Sequence, residues 1–287
     1  MDVFSGSINL LSFPVPIVVV DDDTDYLNLL QQLLHERTLY KYSSPIEALK
    51  SIDLIDVNTK FFLEENFVGM PDLNYKNVKD FVTRLDNKQG VLIVDYDMPE
   101  INGIELFSKI NNPDLIKILL TNAYTIEEAV NALNKKLINY YLPKEKINTL
   151  LEVIKEQENN FFNDLTRKLI SFVGASSLKF LSDSIYASIF NNICHQYNIK
   201  KYYILNSYGH YYLENNDSKF IFTIYDTADL GEIAIEVPKH AKHDVEQGNF
   251  IPSHFSNKDD EYKLVKAKRS GDYSYSIEQI DTAHEYS

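Results

Sequence analysis

The order of apolar and polar positions divides the chain into a first part with a repeating pattern and a second part built differently. Pro16 to Val20 is a short run rich in β-branched residues, the pattern of a strand buried on both faces of a parallel sheet. It ends in Asp21, Asp22 and Asp23, after which Tyr26, Leu29, Leu30, Leu33 and Leu34 recur at helical spacing. The same grammar of strand, polar loop and amphipathic helix then repeats. Leu39 to Tyr42 predicts a second strand, followed by a helix start in which Ser44 caps, Pro45 takes the first helical position and Glu47 closes a capping box. Val91 to Val94 predicts a third strand ending at Asp95, and Ile101 to Ile110 the next helix. Ile116 to Leu120 predicts a fourth strand ending at Thr121, with Thr125 and Glu128 as the capping box of a helix through Leu133. Ile138 to Leu142 is the fifth strand. From Ile147, the apolar positions Leu150, Leu151, Ile154, Phe161, Phe162, Leu165 and Leu169 predict one long helix or two abutting ones.

Strands alternating with helices in this way imply an α/β architecture, a doubly wound five-stranded parallel sheet with right-handed crossovers. Ligands bind such sheets at the carboxyl ends of the strands, beside the switch in strand order. The polar residues fall there: Asp21 and Asp22 after strand one, Asp95 after strand three, Thr121 after strand four and Lys144 after strand five. The stretch from Leu54 to Lys88 is longer than a crossover needs and reads as an insertion with a short helix of its own near Asn77 to Leu85.

The pattern changes from about Ser171. Leu178 to Tyr197 reads as a helix or two, and Tyr202 to Leu205, Tyr211 to Leu213 and Phe220 to Tyr225 read as three strands of an antiparallel meander. Gly209 and Asn215 to Asp217 supply the turns. Thr227 to His243 reads as helical but broken near Pro238, and Tyr262 to Lys268 and Tyr273 to Ile280 as two final strands. The expected organisation is a domain over 15–150 with an insertion at about 54–88, a linker helix over 151–170, and a smaller α+β domain with an antiparallel sheet over 171–287.

Charge narrows the partners. With 28 Lys plus Arg against 42 Asp plus Glu, the formal net charge of -14 repels phosphate backbones, so no nucleic-acid partner is expected. A single cysteine, Cys194, excludes an internal disulfide framework and fits a reducing compartment. Asp2 is the one charge before the apolar stretch at Ile17, and no apolar run approaches a membrane span, so a cytoplasmic protein without a membrane partner is expected.

Carboxylates converging at one sheet edge call for a cation, because two of them near 4 Å repel by roughly 4 kcal/mol at an effective dielectric of about 20. Mg²⁺ suits them, since it favours carboxylate and carbonyl oxygens and is commonly shared with phosphate oxygens. Asp95 can then act as a nucleophile that accepts a phosphoryl group while the other acids hold the metal. Lys144 would pair with the phosphoryl oxygens, and Thr121 would hydrogen-bond one of them. A run of three aspartates is by itself more often a solvated loop or a helix N-terminus. The weight lies on its conjunction with Asp95, Thr121 and Lys144.

Taken together, Val20 to Asp23, Val94 to Gly103, Leu120 with Thr121, and Tyr141 to Lys144 resemble the receiver domain of two-component response regulators over about residues 15 to 150. The resemblance implies a flavodoxin-like fold with Asp21 and Asp22 as the acid pair and Asp95 as the phosphoacceptor. It makes the main-chain carbonyl of Asp97 a further metal ligand, Thr121 and Tyr141 the switch residues, and Gly103 the small residue of a tight turn. Its partners would be a sensor histidine kinase or phosphotransfer protein and a protein that receives the output. The sequence departs from the family pattern at Glu145, where proline usually follows the lysine, at Asn122, where a small residue usually stands, and at Asp97, whose side chain adds negative charge. The second part resembles an uncharacterised C-terminal domain found behind some bacterial receivers.

In that second part the titratable candidates are His195, His210, His240, His243, Asp226, Asp229 and Asp272. His240 and His243 stand three apart, yet no third metal ligand has a convincing spacing, and surface histidines are the commoner explanation. Glu261 and Lys263 resemble the acid and lysine of restriction-type nucleases, a pairing common by chance. The leading expectation is thus a phosphorylation-controlled regulator with a non-DNA-binding interaction or sensor-like output domain. The alternatives are a receiver-controlled enzyme with its active site in the second part, and a phosphate sink or pseudo-receiver. The helix from Ile147 to Leu169 could form a homodimer seam, cover the receiver or join the domains.

Overall fold

The computed structural model of the chain describes residues 8–51, 64, 75–86, 90–110, 112, 114–122, 126–173, 178–237, 239–253 and 263–280. They belong to two units, one of Pro14–Glu65 and Asp80–Leu165, the other of Met1–Phe13, Asn66–Lys79 and Thr166–Ser287. The elements begin with β1 (Leu11–Ser12), which joins the second unit's sheet, and continue with β2 (Ile17–Val20), α1 (Thr24–Leu33), β3 (Leu39–Tyr42) and α2 (Pro45–Ser51). After α3 (Tyr75–Asp86) come β4 (Val91–Asp95), α4 (Gly103–Lys109), β5 (Ile116–Thr121), α5 (Ile126–Asn134) and β6 (Tyr140–Pro143). A 3₁₀ helix at Lys144–Thr149 leads into α6 (Leu150–Val173).

In the first unit β2 to β6 form one sheet in the order β3-β2-β4-β5-β6, every pair parallel. Val18 pairs with Leu92 and Val94 with Leu119, so the β-branched runs lie side by side at the middle of the sheet. Their side chains alternate between faces. Val18, Val20, Leu92, Val94 and Leu119 pack with Ala48 of α2, Leu106 and Phe107 of α4, and Ala129 and Ala132 of α5. Ile17, Val19, Ile93 and Ile118, on the opposite face, are equally buried. This burial on both faces is why the strands read as continuous apolar runs rather than as alternating ones.

Local signals set the helix ends. Ser44 Oγ accepts the Glu47 amide at 3.3 Å at the start of α2, and Asn102 and Glu105 form a full capping box that starts α4 later than the expected Ile101. Thr125 of the second expected box lies outside the described residues, as does most of the 54–88 insertion, whose helix α3 brackets the expected Asn77 to Leu85. Helix α6 is continuous from Leu150 to Val173, with 150–165 in the first unit and 166–173 in the second. Within the first unit it is tied to the amino-end edge of the sheet. The Glu158 carboxylate pairs with the Arg37 guanidinium and accepts the Val15 amide at 3.0 Å, while Arg37 also donates to the Val15 carbonyl at 2.8 Å.

The second unit carries a 3₁₀ turn at Lys179–Ser182, α7 (Ser184–Gln196), β7 (Lys201–Ile204), β8 (Tyr211–Glu214), β9 (Lys219–Asp226), α8 (Leu230–Glu236), α9 (Lys242–Glu246), β10 (Phe250–Pro252), β11 (Leu264–Lys266), β12 (Lys268–Ser270) and β13 (Tyr273–Ile280). Its main sheet is antiparallel, in the order β1-β7-β8-β9-β13-β12. Asp183 caps α7, which lays Tyr186 and Phe190 on this sheet, Phe190 4.5 Å from Tyr211 and 5.9 Å from Phe222 between ring centres. Among the described residues Tyr186, Tyr203, Tyr211, Tyr212 and Tyr273 are the buried tyrosines, all of them in this unit, and each fully buried ring contributes about 1.5–3 kcal/mol.

Two features correct the sequence reading. The expected strand at Tyr262 to Lys268 is two strands among the described residues, because β11 pairs with β10 in a separate ribbon and β12 pairs with β13. Strands β1 and β10 were not expected, and β1, two residues long, places the stretch before Pro14 in the second unit.

Candidate functional site

Strand order reverses at the β2–β4 pair: from β2 the chain moves to β3 on one side, and β4, β5 and β6 follow on the other. A cleft is expected at the carboxyl ends of these two strands. Asp21 follows β2 directly, and its amide donates to the Tyr42 carbonyl at the end of β3 at 3.1 Å. The three aspartates then divide their work. Asp21 points inward, with no exposed surface, and its Oδ1 accepts the Asp23 amide at 2.9 Å. Asp22 is exposed but shares the cluster, and Asp23 caps α1 by accepting the amides of Asp25 and Tyr26.

Asp95 closes β4 and is buried; the next amide, of Tyr96, donates to the Leu120 carbonyl at 3.0 Å. Carboxylate oxygens of Asp21, Asp22 and Asp95 lie within 4.8 Å of one another, the one such group among the described residues. Lys144, placed by the end of β6, reaches between two of them, its Nζ 3.0 Å from Asp21 Oδ2 and 2.9 Å from Asp95 Oδ2. Thr121, at the end of β5, is fully buried, and its hydroxyl has no hydrogen-bond partner among the described residues. Asp95 Oδ1 likewise has none.

Asn102 starts α4 so that Gly103 donates its amide to the Tyr96 carbonyl at 3.0 Å. A Cβ on Gly103 would stand 2.4 Å from the Asp95 carbonyl oxygen, so only glycine lets the helix start this close to the strand end. No cis peptide bond occurs among the described residues, and Lys144 opens a 3₁₀ turn in which Glu145 is exposed.

The electrostatics follow from this crowding. Burial, opposed by the Lys144 hydrogen bond and reinforced by the Asp21 charge, pushes the Asp95 carboxyl up to about 6. Burial likewise raises Asp21 against the pull of Lys144. Burial would lower Lys144, but its hydrogen bonds to Asp95 and Asp21 prevail and hold its ammonium above the ordinary range. The donor set is all oxygen, partly desolvated and short of positive charge, with a buried Asp95 oxygen lacking a partner, and this fits a hard divalent cation such as Mg²⁺.

Of the other residues expected here, Asp97 is exposed in the loop after β4 and lies outside the carboxylate group. Tyr141 is half-buried against the core beneath β6, stacked on Tyr140 with ring centres 6.3 Å apart. Tyr26, read from the sequence only as an apolar position of the first helix, has its ring 4.4 Å from Lys144 Nζ. Its place in the first turn after the acidic loop is the signal that could have found it. In the second unit His195, His240, His243, Asp229 and Asp272 are exposed. His210 is buried, its Nδ1 3.1 Å from the Asn206 amide nitrogen and its Nε2 3.0 Å from the Ile224 carbonyl oxygen, the position of a structural histidine.

Among solved structures, that of the Legionella pneumophila response regulator LqsR superimposes with a TM-score of 0.71 at 23% identity, over 96% of this chain and 90% of that one. The first unit has the response-regulator receiver fold. The likeness to LqsR extends into the antiparallel sheet behind this receiver. The transcriptional regulatory protein FlgR of Helicobacter pylori is 28% identical over 102 residues, 34% of this chain. That match spans about a quarter of FlgR, 26% of its length. No family profile matches the chain. No helix among the described residues is long and apolar enough to cross a membrane.

Proposed function

We propose that this receiver accepts a phosphoryl group on Asp95 and passes the change to a protein partner through its second unit. The observation that carries the reading is the meeting of Asp21, Asp22 and Asp95 oxygens within 4.8 Å, with Lys144 Nζ 2.9 Å from Asp95. Mg²⁺ would be held by these three carboxylates and the Asp97 main-chain carbonyl, and when bound it supplies positive charge against the transferring phosphoryl oxygens. Asp95 Oδ1, the carboxylate oxygen without a partner, is the nucleophile. It forms a bond to phosphorus as the bond from phosphorus to the donor breaks, and the electron pair leaves with the donor. The Lys144 ammonium, already beside Asp95, pairs with the new phosphoryl oxygens, and the unpartnered Thr121 hydroxyl turns to donate to one of them. Tyr141, half-buried on the neighbouring strand, follows Thr121 as the second switch residue.

The donor would be a sensor histidine kinase or a phosphotransfer protein in the cytoplasm. A net charge of -14 favours a protein partner over DNA as the receiver of the signal. The test is uptake of labelled phosphoryl from acetyl phosphate with Mg²⁺ by the full chain. Wild type should label and Asp95→Asn should not; equal labelling of the two refutes the assignment.

A further inference from the structure

The aromatic residue beside Lys144 has two separable parts. Tyr26 stands in the first turn of α1, its amide held by the Asp23 cap at 3.1 Å. The ring lies 4.4 Å from Lys144 Nζ, the ammonium that also contacts Asp21 and Asp95. A cation over an aromatic face is attracted by the ring quadrupole, so the ring forms an uncharged wall that holds the lysine toward the two carboxylates.

The hydroxyl plays no part in that contact. It is buried and has no hydrogen-bond partner among the described residues. Burial, and after it the charges of Asp21 and Asp95, raise its pKa, so the phenol keeps its proton and lies within the field of the site's carboxylates. Those carboxylates are largely engaged: Asp21 Oδ1 by the Asp23 amide, Asp21 Oδ2 and Asp95 Oδ2 by Lys144. Three buried polar atoms of the site are left without a partner among the described residues, one acceptor, Asp95 Oδ1, and two hydroxyls, those of Thr121 and Tyr26. An anionic group carried on Asp95 would bring oxygens for both hydroxyls, and hydrogen bonds to a charged acceptor are the stronger kind.

We infer that Tyr26 is an anion-binding and positioning residue of this receiver, its ring holding Lys144 and its hydroxyl donating a hydrogen bond to an oxygen of the phosphoryl group on Asp95. The inference rests on the phosphoacceptor reading above. It is tested on the full chain with Mg²⁺ by titrating beryllofluoride, a phosphoryl mimic, and following the bound fluorines by ¹⁹F NMR. Mg²⁺ affinity without beryllofluoride serves as the control. Tyr26→Phe keeps the ring and should bind beryllofluoride about tenfold more weakly, with a shifted bound-fluorine resonance, the effect of one lost charge-assisted hydrogen bond. Tyr26→Leu loses the ring as well and should bind more weakly still. Unchanged affinity and unchanged resonances in Tyr26→Phe would overturn the role of the hydroxyl while leaving Asp95 as phosphoacceptor. An equal loss of Mg²⁺ affinity would place Tyr26 in the metal shell and overturn the inference too. Failure of wild type to bind beryllofluoride would overturn the phosphoacceptor reading and this inference with it.

Discussion

Replacing Asp95 by Asn should stabilise the metal-free protein while abolishing its proposed chemistry. The folded carboxyl titrates at about 6 against an ordinary 3.8, so between these values the folded chain holds a proton that the unfolded chain has released. Stability therefore falls as pH rises through that window, and above it the ionised, buried carboxylate carries the full cost. Two pKa units correspond to about 3 kcal/mol. Asn keeps the shape and lacks the charge, and because the shift to about 6 already includes the Lys144 contact, that cost is the upper bound of the gain, which imperfect accommodation of the amide brings to about 1–3 kcal/mol. For a unit of this size that is a rise of roughly 3–10 °C in Tm at pH 7.5 with EDTA present. At pH 4, where the cost of Asp95 itself falls to about 0.5 kcal/mol, the gain should nearly vanish. Added Mg²⁺ should stabilise wild type and leave Asp95→Asn nearly unmoved. Thermal melts of both proteins at the two pH values, with and without Mg²⁺, measure all of this. An Asn variant less stable than wild type at pH 7.5, or a difference independent of pH, would refute the reasoning.

Lys144→Ala leaves Asp21 and Asp95 without the ammonium they share, and should lower stability in EDTA by about 3 kcal/mol. Mg²⁺ should then raise its Tm by more than it raises that of wild type; an equal rise would contradict the shared-cation account. Arg37→Met strands the buried Glu158 carboxylate and should cost about 3–5 kcal/mol in urea melts, most of it regained in the double variant with Glu158→Leu. Failure of the double variant to recover would mean that packing, not charge, holds α6 at that point. Gly103→Ala forces the Asp95 main chain aside and should cost about 1–3 kcal/mol together with most of the labelling from acetyl phosphate. Labelling at the wild-type rate would show that the close approach is not needed.

The receiver sheet was legible because burial on both faces leaves a continuous β-branched run, as at Ile17 to Val20 and Val91 to Val94. The candidate site was legible for a related reason: in a parallel sheet the ends of these runs converge, so Asp21, Asp95, Thr121 and Lys144 could be assembled from strand ends alone. Tyr26 was not, because an apolar residue at helical spacing is already accounted for by the helix. The Arg37–Glu158 pair, 121 positions apart, leaves no local mark on either segment. Strand β1 is two residues long, too short to show a period, and its partner Tyr203 is distant in the chain. The split between β11 and β12 turns on pairing with different strands, which a run of alternating residues does not encode.

The most direct measurement is residue-level mapping of the acyl phosphate. The full chain is incubated with acetyl phosphate and Mg²⁺, reduced with borohydride, which converts a phosphorylated aspartate to homoserine, and read by peptide mass spectrometry. Conversion at position 95 alone, absent without Mg²⁺, is the predicted result. Conversion at Asp21, Asp22 or Asp97 with Asp95 untouched, or at no aspartate at all, would contradict the account.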